Sequence, residues 1–306
     1  MDLQRTIRKP ATLGGIGLHS GHDVRISISP AAPDTGIIFR AADGTLIPAT
    51  PEHVVDSRSA TTIGAFGVRV RTIEHLMSAA AGLGIDNLLV DVEGDEVPAG
   101  DGSARPFVEL LFGAGRVSLP VPRRPLVIAE PVRVGDEQRW LEARPGEGLR
   151  VDYTLDVKHP VIGLQAAAVT VTEAAFVDEV APARTYGFLK DVPLMRQNGL
   201  ALGGSLDNAV VVGKRLVLND RLRFPDEFVR HKILDLIGDL HLLGRPVVGL
   251  VTGRNAGHAL NLALVEAIQR QHAAERRRAA GRRVAAGLEP LPAEPAGLPM
   301  TGAAAG

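Results

Sequence analysis

His231, Asp235 and Asp239 recur every four residues along one stretch of this chain. On an α-helix a four-residue step turns only about 40° around the axis, so the three side chains fall on one stripe. Ile233, Leu234, Leu236, Ile237 and Leu240 cover the opposite arc. The spacing predicts a helix from near Asp226 to Gly244, with Pro246 just beyond as a stop signal. A helix with an apolar back and a His/Asp front can hold a divalent cation. One helix does not complete such a site, so a further ligand has to come from elsewhere in the chain.

Composition narrows the candidates. The 306 residues contain no cysteine, which excludes disulfides, thiolate catalysis and cysteine-held metals. Any metal is therefore held by nitrogen and oxygen. A net charge of −1 and 4% aromatic residues give no electrostatic or stacking case for nucleic acid. No apolar run approaches the roughly 20 residues of a spanning helix. The first eight residues lack a secretory apolar segment.

Short strand patterns and helices alternate along the chain. Val24–Ile28 alternates with period two and ends at Pro30, and Gly36–Arg40, Val68–Val70 and Leu88–Val92 read as further strands. Thr72 reads as the N-cap of a helix that stops near Gly82 or Gly84, and Pro106–Phe112 as a second helix. The proline-rich stretch from Pro120 to Pro125 marks a boundary. Beyond it, strands are expected at Leu126–Ile128, Trp140–Ala143 and Val151–Val157, then helical material and loops to about Gly204. A hairpin around Gly213-Lys214, a strand at Val247–Thr252 and a helix at Asn261–Gln271 follow. This order predicts an α+β protein of two similar domains, residues 1–122 and 123–270, with a possible internal repeat. The Arg/Ala-rich segment 271–306 is expected to fray into a disordered tail.

Three places outside the stripe carry chemistry. His75 is a candidate further ligand. Glu74 points about 100° away from it on a helix, where it can flank an open coordination position and take a proton from water. Taken alone, the pair also fits a solvated first helical turn. His258 stands at a turn before a helix, either as an ordinary loop histidine or as an acid held by a carboxylate such as Asp239. Asp239 extends the stripe, and Gly238 is read as open space beside it.

Seven motifs in order strengthen these readings. They are Gly15–Gly21 (GIGLHSG), Thr72–Leu76 (TIEHL), Asp101–Ala104 (DGSA), Ala183–Phe188 (ARTYGF), Gly203–Ser205 (GGS), Arg230–Asp239 (RHKILDLIGD) and Gly257–Asn261 (GHALN). From about residue 4 to 266 the chain resembles the zinc-dependent UDP-3-O-acyl-N-acetylglucosamine deacetylases of lipid A biosynthesis. The resemblance implies His75, His231 and Asp235 as zinc ligands, a set iron(II) also accepts. It implies Glu74 as general base, His258 as general acid, Asp239 as its orienting carboxylate and Thr185 beside the developing oxyanion. Lys232 corresponds to a contact with the nucleotide diphosphate. Phe188, Val192, Ala201, Gly204 and Ser205 fall in the acyl-chain passage, carried by an insert at about 158–205. His19 and Asp101 lie in family motifs. Tyr186 stands where phenylalanine is expected.

The activity so implied is removal of acetate from the nitrogen of a UDP-linked, O-acylated glucosamine, the committed step toward lipid A and lipopolysaccharide. The active site is expected in the cleft between the domains of a cytoplasmic monomer. Two alternatives share these residues: a zinc amidohydrolase for another N-acyl substrate, and a non-catalytic nucleotide-sugar or acyl-chain binding protein.

Overall fold

A computed structural model describes residues 2–285. The first half runs β1 (Leu3–Ile7), β2 (Ala11–Ile16), β3 (Asp23–Pro30), β4 (Ile37–Arg40), β5 (Leu46–Pro48), β6 (Val54–Asp56), β7 (Thr62–Ala65), β8 (Val68–Val70), α1 (Glu74–Leu83), β9 (Leu88–Glu93), α2 (Arg105–Ala114) and β10 (Arg116–Pro122). The second runs β11 (Leu126–Val127), β12 (Val132–Gly135), β13 (Trp140–Arg144), β14 (Leu149–Val157), β15 (Gly163–Thr170), α3 (Glu173–Ala175), β16 (Tyr186–Phe188), α4 (Val192–Gln197), β17 (Val210–Val212), α5 (Glu227–Leu240), β18 (Val247–Arg254) and α6 (His258–Ala285). The architecture is α+β, and strand pairing among the described residues does not cross from one half to the other.

The two halves repeat one topology. The first builds a sheet in the order β2-β3-β9-β4-β5, the second β12-β13-β18-β14-β15. Along both sheets the pairings read antiparallel, antiparallel, parallel, antiparallel. In each half the fourth strand of this sheet is followed by an insert, a helix, the central strand and another helix. The inserts are the small β6-β7-β8 sheet and the segment that carries the parallel pair β16-β17.

The alternation at Val24, Ile26 and Ile28 puts all three in the core, and one apolar cluster runs through both halves from Ile7 to Ile268. α5 lies on β14 and β15, while α1 packs against α5 and α2. Because α5 is covered on both sides, its polar stripe is as buried as its apolar arc: His231, Asp235 and Asp239 are buried along with Ile233 and Leu236. Gly84 closes α1 in the left-handed conformation, and Gly244 closes the short 3-10 turn after α5 in the same way.

Several expectations are corrected. Thr72 is not an N-cap: its φ is +58°, α1 begins two residues later, and its hydroxyl donates to Glu96 Oε1 at 2.8 Å. The stretch after Val157 contains β15, an Ala-rich strand in antiparallel register with β14, where sheet pairing overrides helix propensity. The chain does turn back at Gly213-Lys214, where Gly213 N–H donates to the Leu216 carbonyl and Leu218 N–H to the Val211 carbonyl. Arg215–Leu218, however, forms only the bridge Val217 to Val212 and no strand, while β17 pairs with β16 on its other edge. The helix expected at Asn261–Gln271 spans His258–Ala285, so the Arg/Ala segment is helical to Ala285. The remainder of the expected tail lies outside the described residues.

Candidate metal centre

The first turn of α1 meets the C-terminal half of α5, and Gly238 lets them touch. A Cβ on Gly238 would sit 2.2 Å from the Glu74 carbonyl oxygen. The space beside this glycine is therefore filled by the backbone of Glu74 rather than left open.

At this crossing His75, His231 and Asp235 bring one ligand atom each within 4.8 Å of one another. His231 Nδ1 lies 3.0 Å from the Ala183 carbonyl, which can only accept, so the ring proton sits on Nδ1 and Nε2 keeps its lone pair. That Nε2 is 3.2 Å from Asp235 Oδ1, and His75 Nε2 is 3.8 Å from the same oxygen. Asp235 Oδ1 is buried and receives no hydrogen bond. Lone pairs converging on a buried, unsatisfied carboxylate oxygen are stable only with a cation among them, so the donor set fits a divalent metal. Burial pushes His75 down to about 3 and His231 in the same direction, which keeps both rings neutral as ligands must be. Burial works against ionisation of Asp235, but the surrounding His231 imidazole and the Lys232 ammonium outweigh it and hold the carboxyl below its ordinary range. Lys232 Nζ donates to Asp235 Oδ2 at 2.8 Å and leaves Oδ1 for the ion.

A carboxylate and an imidazole flank the donor set. Glu74 Oε1 is 3.7 Å from His258 Nε2, and Glu74 Oε2 accepts the Thr61 N–H at 3.1 Å. Burial, with the nearby Asp235 and Asp239 charges and despite His258, pushes Glu74 up to about 7. His258 opens α6, with Nδ1 2.8 Å from Asp239 Oδ2. Burial disfavours its cation, yet Asp239, Asp235 and Glu74 together push it up to about 10. The carboxyl shifted toward neutrality and the imidazole held cationic form a base and an acid side by side.

These groups open into a cavity of about 270 Å³. Of the expected contacts, Thr185, Lys232, Val192, Ala201, Gly204, Ser205 and His19 line it, as does Tyr186. Phe188 does not, and packs instead beside Tyr186 and His159. Asp101 does not reach it either: it accepts from Ser103 and from Arg223 Nη2 at 2.7 Å, fixing the turn that enters α2. Arg184 grips the fully buried Glu227 through Nε at 2.8 Å and Nη2 at 3.1 Å, which docks the Ala183–Thr185 strand entry on the start of α5.

Other contributors were not singled out by the sequence reading. Thr61 and Asn261 both donate to Asp239, at 2.5 and 2.8 Å. Asn261 carried a usable signal, since it is one helical turn from His258 and shares its face. Glu96, fully buried, accepts the N–H groups of His19 and Ser20 and shapes the loop beneath the cavity. Leu18, Met195 and Val211 add apolar wall, and Arg58 and Ser59 come from the first insert.

An α+β scaffold with a nitrogen–oxygen metal site between a base and an acid defines a metal-dependent hydrolase. Residues 4–270 match the family model LpxC, described as UDP-3-O-acyl N-acetylglycosamine deacetylase. The UDP-3-O-acyl-N-acetylglucosamine deacetylase of Acidithiobacillus ferrooxidans is 50% identical over 279 residues, 89% of this chain and 92% of that protein. Those of Syntrophotalea carbinolica and Myxococcus xanthus are 49% and 50% identical, over 88% and 87% of this chain and 88% and 86% of their own lengths. The chain belongs to this deacetylase family. Among the described residues no helix is long and apolar enough to cross a membrane.

Proposed function

We propose that the cavity hydrolyses the N-acetyl group of a UDP-linked, 3-O-acylated N-acetylglucosamine, releasing acetate and the free amine, the reaction for which the family is named and a step of lipid A biosynthesis. The observation that carries this reading is the buried His75, His231 and Asp235 triangle with Glu74 and His258 beside it.

Zinc is the proposed ion, with iron(II) the alternative, because two imidazoles and one carboxylate would hold either. Bound there, it supplies Lewis acidity and a fixed positive charge. Glu74 Oε1 faces the donor set and takes the proton of the attacking water, while its other oxygen is pinned by Thr61. Thr185 lines the cavity where the acetyl oxygen gains charge. His258 passes its proton to the departing nitrogen as the C–N bond breaks, and Asp239 steadies the imidazolium beforehand. Lys232, held by Asp235, reaches the cavity where the diphosphate is proposed to lie. Val192, Ala201, Gly204 and Ser205 are proposed to flank the fatty chain, with each buried methylene contributing about 0.8 kcal/mol.

The two-domain division at residues 122/123 is part of the proposal, supported by the separate sheets. A monomer in the cytoplasm is the proposed setting. The test is release of acetate from the long-chain O-acyl UDP-sugar by the metal-loaded protein, before and after chelation. A purely binding protein releases none. A different amidohydrolase turns over the O-deacylated sugar as fast as the acylated one.

A further inference from the structure

We propose that Thr61 is a positioning residue that holds the base and the acid in register through two separate hydrogen bonds. The inference rests on the deacetylase reading above. Thr61 precedes β7 in the first insert and is only 2% exposed. Its backbone N–H donates to Glu74 Oε2 at 3.1 Å. Its hydroxyl donates to Asp239 Oδ1 at 2.5 Å and lies 3.2 Å from His258 Nδ1. Its carbonyl accepts the N–H of Ile73, the residue just before α1, at 3.2 Å.

Each bond occupies one atom and leaves another for the chemistry. With Oε2 engaged by a backbone donor, Glu74 keeps Oε1 toward His258 Nε2 and the donor set. With Oδ1 engaged by a hydroxyl, Asp239 presents Oδ2 to His258 Nδ1 and to Asn261. A carboxylate cannot donate, so the hydroxyl proton points at Asp239 and an oxygen lone pair remains on the side of His258 Nδ1. The Nδ1–H is thus cradled by two acceptors, which directs Nε2 at Glu74. Glu74 lies on α1, Asp239 on α5 and His258 on α6, and Thr61 bonds or abuts a group from each. Removing its hydroxyl leaves α1 tethered through the backbone but frees the Asp239 carboxylate to rotate away from the imidazole. An orienting group of this kind affects the transition state more than substrate capture.

Thr61→Val keeps the shape and removes the hydroxyl, and Thr61→Ser restores it without the methyl. The full-length, metal-loaded protein is assayed for acetate release, with metal content and melting temperature measured alongside. In Thr61→Val, kcat is expected to fall about 10- to 100-fold with KM within about twofold, the size seen when a supporting partner is lost. Thr61→Ser is expected to recover most of that loss. In the background of Asp239→Ala, Thr61→Val is expected to cost almost nothing more, because both changes break one bond. Thr61→Ala replaces the valine variant if that one does not fold, with the same expected loss. Near-normal kcat in the hydroxyl-free variant, an equal loss in Thr61→Ser, or fully additive losses with Asp239→Ala each overturn the proposal. Absence of acetate release by the unmutated holoprotein instead overturns the deacetylase reading.

Discussion

Gly238→Ala tests whether close contact between α1 and α5 sets the metal site. The added Cβ would lie 2.2 Å from the Glu74 oxygen, 3.0 Å from its carbonyl carbon and 3.2 Å from its Cα. All three atoms are backbone, so no side chain can swing aside, and the helices must part by about 1 Å to regain ordinary contact. Helix propensity alone favours the alanine by about 1 kcal/mol. Overpacking opposes it by about 1–3 kcal/mol. Parting the helices moves Glu74 and His75 away from His231 and Asp235, and a misplacement near 1 Å costs about 100-fold in turnover. Gly113 supplies the control: it lies exposed in α2 with nothing near its would-be Cβ, so Gly113→Ala should raise the melting temperature by about 2 °C. Turnover and metal titration on both variants read the difference. A Gly238→Ala protein with unchanged turnover and metal affinity, melting higher as Gly113→Ala does, would refute the argument.

Glu74→Ala should keep stoichiometric metal while losing about 100- to 10,000-fold in kcat, as should His258→Ala. Loss of the metal from a folded Glu74→Ala protein makes Glu74 a ligand instead, and near-normal turnover in His258→Ala removes its role as acid. The rate–pH profile should be bell-shaped. Glu74, pushed up to about 7, must be deprotonated, so activity falls as pH drops through that value. His258, pushed up to about 10, must be protonated, so activity falls as pH rises through that one. A bound dication draws both limbs to lower pH without changing their order, and a profile with one limb contradicts the pairing. Lys232→Met removes the donor to Asp235 Oδ2 and should weaken metal affinity about 10- to 100-fold, measured by competition with a chelating dye. Metal removal should lower the melting temperature by about 5 °C, because saturation at 100 times Kd contributes about 2.7 kcal/mol. An unchanged melting temperature in demonstrably metal-free protein counts against a preformed site.

The four-residue spacing on α5 was legible because helical geometry maps it onto one stripe, and the glycines at 84 and 244 end their turns as their chemistry dictates. The motif residues Glu74, His75, His231, Asp235, Asp239 and His258 converge because their motifs carry the spatial arrangement of a family with them. What stayed hidden depends on partners distant in sequence. Thr61 reaches Asp239 across 178 positions, and no local pattern marks a threonine as the donor to a carboxylate so far away. Gly238 illustrates the same limit, since a missing side chain reads equally as open space or as close approach. β15 was missed because Ala166, Ala167 and Ala168 favour helix in isolation, while the edge of β14 requires a partner. α6 outran its expected end for the opposite reason: alanine and arginine are strong helix formers, although they lack the apolar stripe that signals packing.

The repeated topology explains why the site is divided as it is. α1 and α5 occupy the same place in their halves, each after an insert and before the central strand. The repeat therefore presents two equivalent helices to one another, yet they contribute different parts. α1 gives its first turn, where Glu74 and His75 lie, and α5 gives a stripe from its second turn to its last, where His231, Asp235 and Asp239 lie. α2 and α6 are likewise equivalent, but only α6 begins on an imidazole, that of His258, the proposed acid, while the turn before α2 holds Asp101 in a bond to Arg223. Of the three candidate ligands, the first half brings one and the second two, so the proposed site needs both halves. The same crossing buries Glu74 and His258: burial raises Glu74, while Asp239, Asp235 and Glu74 overcome burial to keep His258 charged. Association of the halves, assembly of the candidate metal ligands and burial of the proposed proton-transfer pair thus meet at one helix contact, which a glycine on α5 makes possible.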